Sequence, residues 1–81
     1  MNEKAIKEIL QQLIDSKSIA HIHEEGVFQM FGTLINVHSD IYYGESLTEE
    51  KYVNTFQFAF ENIYGLTFIS GMWTIKLFRR G

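Results

Sequence analysis

Hydrophobic positions change period along this chain, and each change marks a new element. Over residues 2–15, Ile6, Ile9, Leu10, Leu13 and Ile14 recur at helical spacing, while Lys4, Lys7, Glu8, Gln11, Gln12 and Asp15 fall on the opposite side. Asn2 is placed to cap the start, Glu3 suits the positive end of the helix dipole, and Glu3–Lys7 forms an i,i+4 pair. The spacing predicts an amphipathic helix whose apolar stripe must bury against a sheet. Its polar side is not basic, which separates it from a membrane-surface helix.

After a break at residues 16–18 the period drops to two. Ile19 to His23 reads as a short strand with Ala20 and Ile22 on one face and Ile19, His21 and His23 on the other. Glu24-Glu25-Gly26 reads as a hairpin loop. The longest apolar, β-prone segment follows, from Gly26 to Tyr43, and we expect it to be the spine of an antiparallel sheet. Phe28, Met30 and Leu34 share one parity, and Val27, Phe31, Ile35 and Val37 the other, so neither face is polar. Either this strand is covered on both sides, or a bulge at Gly32 exchanges its faces halfway; a chain this short favours the bulge. His38-Ser39-Asp40 reads as a turn, with Ile41 to Tyr43 opening the next strand.

Residues 48–64 fit two templates. As a strand, Tyr52, Phe56, Phe58 and Phe60 alternate with Val53, Thr55, Gln57 and Glu61. As a helix, most of the same apolar residues share one arc and only Phe58 lies off it. Ser46-Leu47-Thr48-Glu49 resembles a capping box, Glu49 and Glu50 fall in the first turn, and Gly65 stands where a C-terminal cap glycine belongs. This punctuation favours a second helix. Leu66 to Ser70 and Trp73 to Phe78 then form a hairpin across Gly71-Met72, of type II′. The pattern predicts one α+β domain over residues 1–81. Its sheet has about five antiparallel strands, both helices pack on one face, and the order is α-β-β-β-α-β-β.

Composition supports a folded core. The chain has 81 residues, with 46% hydrophobic and 21% charged, and it concentrates bulk in seven Phe, four Tyr and one Trp. A chain of this length needs such density, because small domains bury a smaller share of their surface. Cysteine is absent, which excludes a disulfide framework and thiolate chemistry. No run reaches the ~20 apolar residues of a membrane helix, and the charged start MNEKAIKEIL is unlike a secretory signal. A soluble, cytoplasmic protein is expected.

Net charge is −3, and its distribution is uneven. Asp40, Glu45, Glu49, Glu50 and Glu61 face only Lys51 in the same stretch, while Lys76, Arg79 and Arg80 gather near the end. No broad basic face is available for phosphates, so nucleic acid is not the expected main partner. An acidic patch meets a basic protein surface instead.

Candidate chemistry is sparse. His21 and His23 share a strand face, and His38 with Asp40 could join them in a zinc- or iron-type set if the strands pair suitably. Ser39 stands between His38 and Asp40, but neighbours along a strand point to opposite faces and make no triad. The glycines are isolated, so no phosphate-cradling loop is present. Phe58, off the helical arc, is expected to be exposed beside acids, the arrangement of a binding hot spot.

Phe31-Gly32-x-Leu34 followed by Val37, and later Ile69-Ser70-Gly71, echo the two motifs of Sm-like RNA-binding barrels, and the N-terminal helix is similar. That resemblance implies a small β-barrel, a ring of copies, RNA binding, and a strand across 52–61. The sequence departs from it where the family's RNA-contacting aspartate, asparagine and arginine are replaced by His38, Tyr42 and Ser70.

The favoured expectation is a small acidic, non-enzymatic protein that binds and modulates another protein. In size and charge it resembles phage- or mobile-element-encoded inhibitors and bacterial immunity proteins. The expected contacts are Glu49, Glu50, Phe58 and Glu61, with no catalytic residue, metal or cofactor; a homodimer through edge strands is open. An Sm-like RNA-binding protein is the alternative. A metal protein using His21, His23 and His38 is the third.

Overall fold

The computed structural model describes residues 2–47 and 54–79. Helix α1 spans Glu3–Ser16 and is followed by β1 (Ile19–Glu24), β2 (Phe28–His38), β3 (Ile41–Ser46), β4 (Thr55–Ala59), a 3-10 turn (Phe60–Asn62), β5 (Ile63–Ile69) and β6 (Met72–Leu77). The class is α+β. No helix among the described residues is long and apolar enough to cross a membrane.

Helix α1 forms where the period predicts it. The Asn2 side chain accepts a hydrogen bond from the Ala5 N–H at 2.8 Å, and Lys17 ends the helix in the left-handed region at φ 53°. Leu10 and Leu13 are buried on its inner side.

The sheet runs in the order β4-β3-β2-β1-β6-β5. All its pairings are antiparallel except β1 with β6, where His21 to Glu24 run parallel to Thr74 to Leu77. β4 and β5 are thus opposite edges of the sheet, yet only residues 60–62 separate them in the chain. A flat sheet of this width would hold its edge strands roughly 24 Å apart. The four steps from Ala59 to Ile63 reach at most about 14 Å. The sheet must therefore coil until its edges meet. Phe60 N–H donates to the Asp40 carbonyl at 2.8 Å, on the β3 side, and Phe78 N–H donates to the Asn62 carbonyl at 2.8 Å, on the β6 side. β4 and β5 act as two halves of one strand that bridges both edges.

The core sits inside this coil, and every strand and the helix supply it. It comprises Leu10, Leu13, Ala20, Ile22, Leu34, Tyr42, Phe58, Leu66, Ile75 and Leu77. Tyr42 stacks on Phe58 at 5.5 Å, and Phe56 stacks on Phe58 at 6.4 Å. Burial, and then the charge of Asp40, pushes the Tyr42 phenol above its ordinary pKa.

Several expectations need correction. Residues 55–59 are a strand and 60–62 a single 3-10 turn, so the predicted second helix does not form across 54–64; Thr48 to Val53 lie outside the described residues. The sheet accordingly has six strands, mixed rather than wholly antiparallel, and one helix covers it among the described residues. Alternation wins over helical arc because β3 offers a partner: Tyr42 pairs with Phe58 and Gly44 with Phe56, while Thr55 and Gln57 stay exposed. Ser46 does not cap a helix but ties the chain to Asn54, whose carbonyl accepts from the Ser46 N–H and hydroxyl at 2.8 and 3.1 Å. Gly65 lies within β5.

The spine does exchange its faces, but at Ile35, where the β2–β3 register slips between Leu34 and Asn36, and not at Gly32. Gly32 and Gly44 serve another purpose. A Cβ on Gly44 would run into the Phe56 ring and lie 2.6 Å from the Thr33 carbonyl oxygen, and one on Gly32 would lie 2.9 Å from the same ring. The two glycines form the shelf on which Phe56 lies. The β5–β6 loop is Ser70-Gly71, with φ 52° and 80°, a type I′ geometry one residue earlier than predicted; Ser39-Asp40 repeats it at φ 50° and 59°.

The shelf makes a direct prediction. Gly44→Ala should lower stability by about 2 kcal/mol in urea unfolding, because neither the ring nor the backbone can withdraw. Gly65→Ala, where the nearest atom is the flexible Lys76 Cδ at 3.3 Å, should stay within about 0.5 kcal/mol of wild type.

Candidate functional site

Strand parity sends one set of side chains into the coil and the other to its outer surface. On the outer surface of β2-β1-β6-β5 two rows run straight across the strands. Phe31 lies beside His21, His21 beside Thr74, and Thr74 beside Thr67; Gln29 lies beside His23, His23 beside Lys76, and Lys76 beside Gly65. Four strands, one of them parallel to its neighbour, are needed to assemble this surface.

His21 is at its centre. Its ring stacks on Phe31 at 5.1 Å with 30° between planes, and on His23 at 6.0 Å with 19°. Nε2 lies 3.1 Å from Gln29 Oε1 and Nδ1 lies 3.5 Å from Thr74 Oγ1. A glutamine carbonyl oxygen accepts and a threonine hydroxyl can donate, so in the neutral ring these partners favour the proton on Nε2. Phe31 is 51% exposed. Apolar side chains continue the surface at the same end of the strands: Ile19 beside Thr33 is 44% exposed, and Ile69 beside Met72 is 59% exposed. Leu47 N–H donates to the Phe31 carbonyl, which carries β3 alongside, and the Leu47 side chain is also exposed. On the rim, Tyr64 donates to Glu25 Oε1 at 2.6 Å, and that bond, followed by burial and the Glu25 charge, holds its phenol above the ordinary pKa.

The residues singled out from sequence do not come together. Glu49 and Glu50 lie outside the described residues. Phe58 is not an exposed anchor but a core residue, 2% exposed, because strand alternation turns it inward between Tyr42 and Phe56. Glu61 is exposed on the 3-10 turn, where it shares a cleft with Glu3 and Asp40. Asp40 there pairs with Lys7 at 3.4 Å, and the Lys7 ammonium sits 4.8 Å over the Phe60 ring. His38 closes β2 beside Ile41, seven residues beyond Phe31, so it does not join His21 and His23. Among the described residues no group of three histidine, cysteine or acidic side chains could hold a metal ion. Sequence reasoning placed His21 and His23 on one face correctly, but it missed Phe31, Gln29, Thr74 and Lys76 as their neighbours, which only the register reveals.

The chain matches no protein-family model, no curated protein and no solved structure.

The histidine geometry is testable by nitrogen-15 imidazole spectra in buffer alkaline enough to keep the ring neutral. His21 should give the Nε2–H tautomer, and Thr74→Val should mix the tautomers while costing about 1 kcal/mol or less. A pure Nδ1–H form in wild type would contradict these contacts.

Proposed function

We propose that this is a non-enzymatic binding module that engages and modulates another protein through the outer surface of β2-β1-β6-β5. The observation that carries the reading is the placement of Phe31: a large aromatic, half exposed and stacked on His21, in a four-strand surface that also exposes Ile19 and Ile69, with exposed Leu47 alongside. Rigid aromatics ringed by apolar side chains are what interfaces concentrate at their centres, and contiguous exposed apolar surface marks interaction sites. Small size, acidity and the lack of cysteine suit a cytoplasmic inhibitor or immunity-type protein of bacterial or phage origin.

The RNA-binding alternative gains the strand at 55–59 that the Sm-like resemblance requires. It loses more. Tyr42, at one of that family's RNA-contacting positions, is buried in the core, and Ser70 occupies a tight turn. The acidic surface first expected to bind is reduced, among the described residues, to Glu61 with Glu3 and Asp40 around one cleft.

Capture from native extract with tagged wild type, Phe31→Ser and Glu61→Lys tests the reading, each variant first checked for folding by circular dichroism. Phe31→Ser should weaken the specific partner at least about tenfold, near 1.4 kcal/mol, while Glu61→Lys keeps it. Retention of every partner by folded Phe31→Ser, or loss on Glu61→Lys alone, would overturn it.

A further inference from the structure

On the other side of β2 the outer surface has a different chemistry. The register slip at Ile35 places Asn36 opposite Tyr43, and Tyr43 lies opposite Gln57, so one row of amide, phenol and amide crosses β2, β3 and β4. A cleft of about 730 Å³ opens over this row, lined by Ile35, Asn36, His38, Tyr43, Thr55 and Gln57, with the Gly44–Phe56 pair completing its wall. The volume falls within the range of small-molecule sites.

We infer that this cleft binds a neutral saccharide. Three observations point there. First, among the described residues no Lys, Arg, Asp or Glu borders the cleft, and those are the side chains from which a phosphate, a carboxylate or an amine ligand draws its strongest contacts. Second, Asn36 and Gln57 each offer an adjacent donor and acceptor, the combination that two neighbouring hydroxyls satisfy, and Tyr43, His38 and Thr55 add further hydrogen-bonding atoms. Among the described residues none of these five side chains is engaged in a hydrogen bond within the protein. Third, the Tyr43 ring and Ile35 give the cleft an apolar side, which the C–H face of a pyranose ring can cover while its hydroxyls reach the amides. A bulge that brings Ile35 and Asn36 onto one surface next to such a cleft is the device by which strands re-aim side chains at sites. The inference does not rest on the protein-binding reading, since β1, β6 and β5 contribute nothing to this cleft.

Amide-resolved NMR titration of the full chain tests it, using glucose, galactose, N-acetylglucosamine, maltose and cellobiose, with adenosine and adenosine monophosphate for comparison. At least one sugar should give saturable shifts centred on residues 35–38, 43–44 and 55–57, and Gln57→Ala and Asn36→Ala should each weaken it about tenfold while leaving the remaining spectrum in place. Phe31→Ser should bind that sugar as wild type does, which separates this site from the proposed protein-binding surface. The inference is overturned if no sugar gives saturable shifts, if the shifts centre elsewhere, or if only the adenosine ligands bind.

Discussion

The fold depends on one short crossing. Residues 60–62 carry the chain from one edge of a six-stranded sheet to the other, with a backbone hydrogen bond to each side, from Phe60 N–H to Asp40 and from Phe78 N–H to Asn62. That crossing cannot be made over a flat sheet, so it obliges the strands to coil. Coiling creates the inside in which Phe58, Tyr42 and Ile75 are buried and the outside on which Phe31 and Tyr43 are presented. It also sets the demand for glycine at 32 and 44. At these two positions the Phe56 ring fills the space that Cβ atoms would otherwise occupy.

Coiling also joins the two edge strands end to end, though each pairs on one side only. An uncharged strand such as β4 or β5 would be an aggregation hazard at the rim of an open sheet. Joined end to end across the 3-10 turn, β4 takes its partner from β3 and β5 from β6. The outer surface is then divided by β2. One side carries the stacked His21–Phe31 pair and exposed aliphatics; the other carries Asn36, Tyr43 and Gln57. A protein-facing surface and a sugar-binding cleft are proposals for these two sides. They draw on different chemistry, burial of rigid apolar area on the first and hydrogen bonding across a neutral cleft on the second.

How much of this was legible in the sequence follows from how local each signal is. Helix α1 was legible because its apolar period and its Asn2 cap lie in one segment. The β1–β2 hairpin, the turn at Ser39-Asp40 and the last hairpin were legible for the same reason, although the first and last were each off by one residue: Glu24 still pairs with Phe28, and Gly71 fits the second position of a type I′ turn as well as the first of a type II′. Residues 54–64 were not legible. Their aromatics satisfy both periods, and the deciding contacts, Gly44 with Phe56 and Tyr42 with Phe58, come from a distant strand. Reading Phe58 as exposed followed from that ambiguity. The face shared by His21 and His23 could be read from alternation. The parallel pairing of β1 with β6, which brings Thr74 to His21, has no signature in either segment.

Amide hydrogen exchange at two positions tests the closure of the coil most directly. If residues 60–62 join the two edges, the Phe60 and Phe78 amides exchange only through global unfolding, as slowly as the amides between β1 and β2. Exchange of these two at rates typical of solvent-exposed loops, with β1 and β2 still protected, would mean that the sheet is open and that the account built on its closure is wrong.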